Sequence, residues 1–283
     1  MYLVQIAEGL LPTNRIKSET RRRLLPNDYE NIATALKTDY ENDGWELEKE
    51  MKRGVKMRRA KSHDVAFEDR VWAAMAKLNF TDLNSGRQFK LRYGKNENDT
   101  QQIDVFAADS EVVLIIECKS SATVSTKSFK KEVEAITGQR AGLIRSVRRE
   151  YPNHKVKFVL ATNNYGVTPA TRERFESSDI VHLDEEAIDY YISLADHLGK
   201  AAKFQLLGNI LAGTKIPELD AVVPAIEAKM AGVTYYSFAM EPARLLKLGY
   251  ILHRNKANSQ LMPTYQRLIK SCLLYTSPSP RDA

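Results

Sequence analysis

The stretch that decides the fold is "QQIDVFAADSEVVLIIECKSS", Gln101 to Ser121. It holds two apolar runs around a short polar turn at Ala108-Asp109-Ser110, the pattern of a β-hairpin. Each run carries acid where a buried strand should not: Asp104 stands between Ile103 and Val105, and Glu117-Cys118-Lys119 closes a run of Val, Leu and Ile. Side chains alternate across a strand, so Glu117 and Lys119 share one face and Cys118 points to the other, into the core. A two- or four-residue loop places Asp104 across from the neighbourhood of Ile115. Glu117 is then its diagonal neighbour, with Cα atoms roughly 7 to 8 Å apart. A three-residue loop would reverse the parity and separate the acids.

Two carboxylates on adjacent strand ends are costly unless something compensates them, since like charges repel and burial disfavours ionisation. A hard divalent cation removes both costs. Mg²⁺ takes oxygen ligands, retains waters and favours one or two carboxylates together with substrate phosphate. Water bound to such an ion becomes a usable nucleophile. Lys119 beside it is placed to stabilise developing phosphorane charge or to orient and deprotonate the nucleophile. The main-chain carbonyl of Cys118 is a further candidate ligand. Asp104, Glu117 and Lys119 thus read as one device for phosphodiester hydrolysis.

"QIDVF" followed by "LIIECKSS" resembles the active-site core of the PD-(D/E)xK, or restriction-endonuclease-like, nucleases. The resemblance covers roughly residues 60 to 165. It implies an α/β fold with an αβββαβ core, a mixed central sheet flanked by helices, and a metal-dependent deoxyribonuclease active on DNA with Mg²⁺, for which Mn²⁺ can substitute. Asp104 matches the family aspartate, and Glu117 and Lys119 match its E-x-K. Glu68 in "AFEDRVW" matches a glutamate of the preceding helix that joins the metal shell. Gln139 in "AITGQRAG" matches a glutamine of the following helix. The family's proline is replaced by Ile103. Lys127, Lys130 and Lys131, opening the helix after the active strand, are placed to meet a nucleic-acid backbone.

Around this core the chain of 283 residues is 43% apolar and 28% charged, which suits a soluble globular protein of one or two domains. No apolar run reaches the ~20 residues needed to span a bilayer, and "MYLVQIAEGLLPTN" lacks a secretory pattern, so a cytoplasmic protein is expected. The net charge of +6 is concentrated early, in "NRIKSETRRR" and "KRGVKMRRAK", a flank suited to a polyanion. Residues 1–62 read as a basic helical extension, with Tyr29, Ile32, Ala35 and Leu36 on a helical stripe. Asp64 is the expected N-cap of the next helix, which carries Phe67, Val71, Ala74, Met75 and Leu78. Phe89, Leu91 and Tyr93 alternate as a strand. A long helix presents Phe129, Val133, Ile136, Leu143 and Val147. "KVKFVLAT" and "DIVHLDEE" are strands, separated by a helix that Thr168-Pro169 opens. The nuclease-like domain is expected over 63–212.

After "AGTKIPELDAVVP", which has linker character, a second unit is expected over 215–271; its "VTYYSFAMEPARLLKLGYILHR" and "PTYQRLIK" resemble the start of a DGQHR domain, a family that includes a protein of DNA-phosphorothioation gene clusters. This resemblance implies a DNA-modification or defence setting. Residues 272–283, "CLLYTSPSPRDA", resemble a translated sequencing adaptor rather than native chain. The two cysteines, Cys118 and Cys272, permit no disulfide framework or zinc spacing, and the histidines have no ligand spacing. The expected partner is DNA, with no membrane; a homodimer or a defence-complex partner is a further expectation. The alternative to an enzyme is a non-catalytic DNA-binding module or an adaptor on the same fold.

Overall fold

The computed structural model describes residues 6–198 and 202–211. The expected DGQHR-like segment, Cys272 and the adaptor-like end lie outside them. The described residues divide into two compact units: one runs through Ala76 and resumes at Phe80–Glu185, and the other comprises Lys77–Asn79 and the described residues from Glu186 onward.

In chain order the elements are α1 (Ile16–Arg23), β1 (Asn27–Ile32), α2 (Lys37–Asn42), β2 (Glu46–Met51), β3 (Gly54–Ala60), α3 (His63–Lys77), β4 (Asp82–Leu83), β5 (Lys90–Arg92), β6 (Thr100–Gln102), β7 (Val105–Ala108), β8 (Val112–Thr126), α4 (Lys130–Glu150), β9 (Lys155–Gly166), α5 (Pro169–Ser177), β10 (Ile180–Asp184), α6 (Glu185–Leu198) and α7 (Ala202–Ile210). The protein is mixed α/β. Its central sheet has the order β10-β9-β8-β7-β4; β8, β9 and β10 run parallel, while β7 is antiparallel to both of its neighbours, β8 and β4.

The run Val112–Ile116 is buried throughout, as befits a strand with neighbours on both edges and cover on both faces. On one face Val113 and Ile115 meet Phe158 of β9 and Leu143 and Val147 of α4. Next along this face, Leu160 packs with Phe129, Val133, Phe175 and Ile180. Phe129 does not continue the helical stripe as expected. It precedes α4 with φ +51° and is almost fully buried, its ring edge-on to Tyr165; burial of a large ring holds an unfavourable backbone conformation there. Thr168 caps α5, accepting from the Thr171 N–H at 3.3 Å, with Pro169 in the first turn. At α3 the cap is Ser62 rather than Asp64: Ser62 accepts from the Val65 and Ala66 N–H groups.

Residues 1–62 are not a helical extension. After the short α1, the sheet β1-β3-β2 forms, fully antiparallel. Trp45, Val55 and Met57 make its small core, with Ile32, Tyr40 and Leu47 against it. The spacing of Trp45 and Leu47, and of Val55 and Met57, has the period of two that strands require. Gly54 at φ +135° closes the β2–β3 turn, where a Cβ would lie 2.2 Å from the Ile32 carbonyl oxygen. Likewise Phe89, Leu91 and Tyr93 do not join the central sheet; β5 pairs with β6 as a separate ribbon.

Part of the early positive charge is paired internally. Asp69 of α3 is wholly buried and binds three cations: Arg23 at 3.1 Å, Lys61 at 2.8 Å and Arg87 at 2.7 Å. Arg23 also pairs with Glu19 and lies over the Trp72 ring at 4.3 Å. Arg58 pairs with Glu46 and Glu48. This arrangement ties α1, β3 and the segment after β4 to α3. In the second unit Tyr190 donates to the Gln205 side chain and Lys77 pairs with Asp196. Among the described residues no helix is long and apolar enough to cross a membrane.

Removing one member of a buried charge cluster leaves the others without compensation. Asp69→Ala is therefore expected to lower stability by about 3–5 kcal/mol in denaturant unfolding. A loss under about 1 kcal/mol, the range of exposed pairs, would show that the cluster does not join these segments.

Candidate active site

The β7–β8 hairpin is closed by Asp109. Its N–H donates to the Val112 carbonyl at 3.1 Å, while its carboxylate accepts from the Glu111 and Val112 N–H groups, each at 2.9 Å. This leaves Ser110 and Glu111 as the loop, an even number, so the expected parity holds. The offset differs from expectation. Phe106, not Asp104, lies opposite Ile115, and Val105 lies opposite Ile116. One further step of this register sets Asp104 directly across from Glu117 instead of diagonally, a closer approach.

Asp104 sits at the break between β6 and β7. One of its carboxylate oxygens accepts from the Cys118 backbone N–H at 2.8 Å. The Asp104 main chain is bracketed by Asn84, a wholly buried residue whose amide donates to the Asp104 and Gly86 carbonyls and accepts from the Phe106 N–H. Asn84 escaped the sequence reading; a lone asparagine in "LNSGRQF" carries no mark of the two chain segments it joins.

Lys119 meets Glu117 at 2.6 Å and donates to the Cys118 carbonyl at 3.2 Å. That carbonyl, expected as a metal ligand, is thus engaged by Lys119. The Cys118 side chain is buried on the opposite face, as alternation requires, and burial pushes its thiol well up. The electrostatics are those of crowded acids. Asp104 is pushed up to about 7, chiefly by burial and then by the charges of Glu117 and Glu68, against the Cys118 N–H and Lys119. Burial likewise raises Glu68, partly offset by Arg87 and Lys119. Lys119 is raised: burial opposes its charge, but Glu117 and Asp104 outweigh burial. Glu68 of α3 thus lies within electrostatic range of Asp104 and Lys119.

Gln139 and Glu117 line one cleft of about 210 Å³ between α4 and the sheet, together with Lys131, Glu132 and Ile103. The other two lysines are differently placed. Lys127 is paired with Glu132 at 2.6 Å and Lys130 with Glu134 at 3.8 Å. His63, which the sequence did not single out, stands at the start of α3 with Nδ1 2.7 Å from the Ser120 hydroxyl, which in turn donates to Asp64. Among the described residues no group of three or more His, Cys, Asp or Glu side chains is arranged to hold a metal ion.

No protein-family model matches the chain, and no curated protein matches it. A solved structure described as "Crystal structure of protein VC1899 from Vibrio cholerae" is similar over 70% of this chain and 53% of that one, at 14% identity and a TM-score of 0.32. The match thus spans about half the length of that protein, and a likeness this distant carries no argument about function.

The raised Asp104 carboxyl makes a pH prediction. A carboxyl whose folded pKa exceeds its unfolded value binds its proton more tightly in the fold, so stability falls as pH rises from about 4 through about 7. Asp104→Asn keeps an acceptor for the Cys118 N–H and removes the titration. The variant is expected to be more stable than the parent at pH 8, by up to a few kcal/mol, and close to it at pH 4. Thermal melts at both pH values decide this; a difference independent of pH would contradict the crowding.

Proposed function

We propose that this protein is a Mg²⁺-dependent endonuclease that hydrolyses phosphodiester bonds in DNA, with a restriction-endonuclease-like core acting in bacterial restriction, defence or DNA modification. The observation that supports this reading most directly is the convergence of Asp104, Glu117 and Lys119, with Glu68 in the same field. Two crowded carboxylates, one of them paired with an ammonium, form a donor set suited to a hard cation that takes oxygen ligands. Asp104 and Glu117 would hold the ion, with Glu68 and the Cys118 carbonyl as further donors. Bound there, Mg²⁺ supplies charge neutralisation and Lewis acidity toward the scissile phosphate.

The chain's own groups have separable parts in the reaction. Asp104 and Glu117 orient the attacking water. Lys119, held protonated by Glu117 and Asp104, stabilises the negative charge that develops as the new P–O bond forms and the ester P–O bond breaks. Its raised pKa favours this electrostatic part over proton abstraction. Gln139, in the cleft with Glu117, is placed to hydrogen-bond the substrate, and Lys131 on the same cleft offers charge to its backbone. Phosphate stays on one product end and a hydroxyl on the other.

A second reading, a nucleic-acid-binding module without catalysis, draws on one observation: the Cys118 N–H and Lys119 already satisfy the two acids. Plasmid incubated with the protein and Mg²⁺ or Mn²⁺ separates the two. Cleavage is expected in the parent, with a loss of about 100-fold or more in Asp104→Ala and in Lys119→Ala while DNA binding persists. Cleavage that survives both substitutions would remove this site from the chemistry, and parent protein that binds without cutting would leave the binding module.

A further inference from the structure

A second concavity lies further along α4, beyond the cleft that holds Glu117 and Gln139. Its volume is about 550 Å³, and it is lined by Arg92, Tyr93 and Lys95 from the β5–β6 ribbon and by Arg145, Ser146 and Arg149 from α4. Four cations therefore face one recess, and no acid lines it. Arg145 and Arg149 are four residues apart on the helix, where like charges destabilise by about 0.2–0.5 kcal/mol. No carboxylate of the described residues pairs with Arg92, Lys95, Arg145 or Arg149. The nearby acids are otherwise placed: the Asp99 side chain accepts from the Asn96 N–H, Glu150 accepts from the Ile6 and Ala7 N–H groups, and Glu97 is exposed and does not line the recess. Elsewhere on α4, Lys130 and Arg140 have carboxylate partners, while no carboxylate of the described residues pairs with Lys131 or Arg148.

The recess is also rigidly built. Gly142 lets the end of β5 lie against the helix; a Cβ there would stand 1.8 Å from the Tyr93 carbonyl oxygen. Ser146 donates to the Arg92 carbonyl from the helix side. The Arg92 guanidinium donates to the Asn96 and Lys95 carbonyls at 2.9 and 2.7 Å, which fixes its plane and leaves three of its five donors for a ligand. Uncompensated cations held together by the fold are a local conflict that an anion relieves.

We infer that this recess binds backbone phosphate of a polynucleotide, as an anchoring site separate from the acid cluster. The inference rests on the proposed nucleic-acid substrate but not on its hydrolysis. The helix supplies a spacing: from Gln139 in the cleft to Arg145 and Arg149 is about 9 to 15 Å along the axis. A duplex strand at about 3.4 Å per phosphate would span about three or four nucleotides between the two places. Substrates shorter than this would reach the acids without the anchor.

The test is fluorescence anisotropy of a labelled 20-base-pair DNA with the full chain in EDTA, where nothing is cut, over a range of salt concentrations. Arg145→Gln/Arg149→Gln is expected to weaken binding about tenfold or more and to lower the slope of log affinity against log salt by about two. A charge-matched control, Lys49→Gln/Lys52→Gln, alters two exposed side chains far from the recess in sequence and is expected to change little. Circular dichroism of both double variants checks that they fold, and Arg145→Lys/Arg149→Lys is expected to restore most of the salt slope. Equal losses in the recess and control pairs, or no loss in the recess pair, would overturn the assignment. A parent protein that leaves plasmid uncut with Mg²⁺ while this binding pattern holds would sink the nuclease reading and leave the anchor standing.

Discussion

Parity in one hairpin governs the site. Ser110 and Glu111 form a two-residue loop because Asp109 ties its own N–H and carboxylate to the residues that follow. An odd loop would turn Glu117 and Lys119 to the face that now holds Cys118, leaving Asp104 with neither acid nor ammonium opposite. The register also decides which face of β8 meets α4. Val113 and Ile115 pack on Leu143 and Val147, so the next residues along that face, Glu117 and Lys119, emerge where the apolar cover ends and the cleft begins. Burial on one side and openness on the other make the acids both costly and reachable.

The second constraint is the buried carboxylate of Asp69. Three cations from widely separated positions meet it, so residues near the start of the chain become part of the same compact unit as the central sheet. Asp69 follows Glu68 directly, and Arg87, which binds Asp69, also moderates the charge of Glu68. The cluster thereby fixes the end of α3 that faces Asp104 and Lys119. Two of the cations that read as a basic flank in the sequence, Arg23 and Lys61, prove to be part of an internal brace.

Positive charge available to an external partner also lies along α4. Lys127, just before the helix, and Lys130 in its first turn have acidic partners, whereas Arg145 and Arg149 share a recess with Arg92 and Lys95. One helix therefore borders both the acid cluster and the cationic recess, and any extended polyanion lying along it would meet the two in series.

The hairpin, the buried β8, the alternation of Cys118 against Glu117 and Lys119, the Thr168 cap and the long α4 were all legible in the residues, because each depends on local periodicity or on a capping side chain a few positions away. The three-stranded sheet at residues 27–60 was legible in principle, in the two-residue spacing of Trp45, Leu47, Val55 and Met57, but the density of charge around those four side chains masked it. The separation of β5 and β6 from the main sheet, the bracket by Asn84, the exact opposition of Asp104 and Glu117, and the gathering of Arg23, Lys61 and Arg87 on Asp69 were decided only by the tertiary structure. Periodicity tells which face a side chain takes. Which distant charges meet, and whether a cation is paired inside or left facing solvent, depends on contacts between segments far apart in the chain, and no local pattern encodes those.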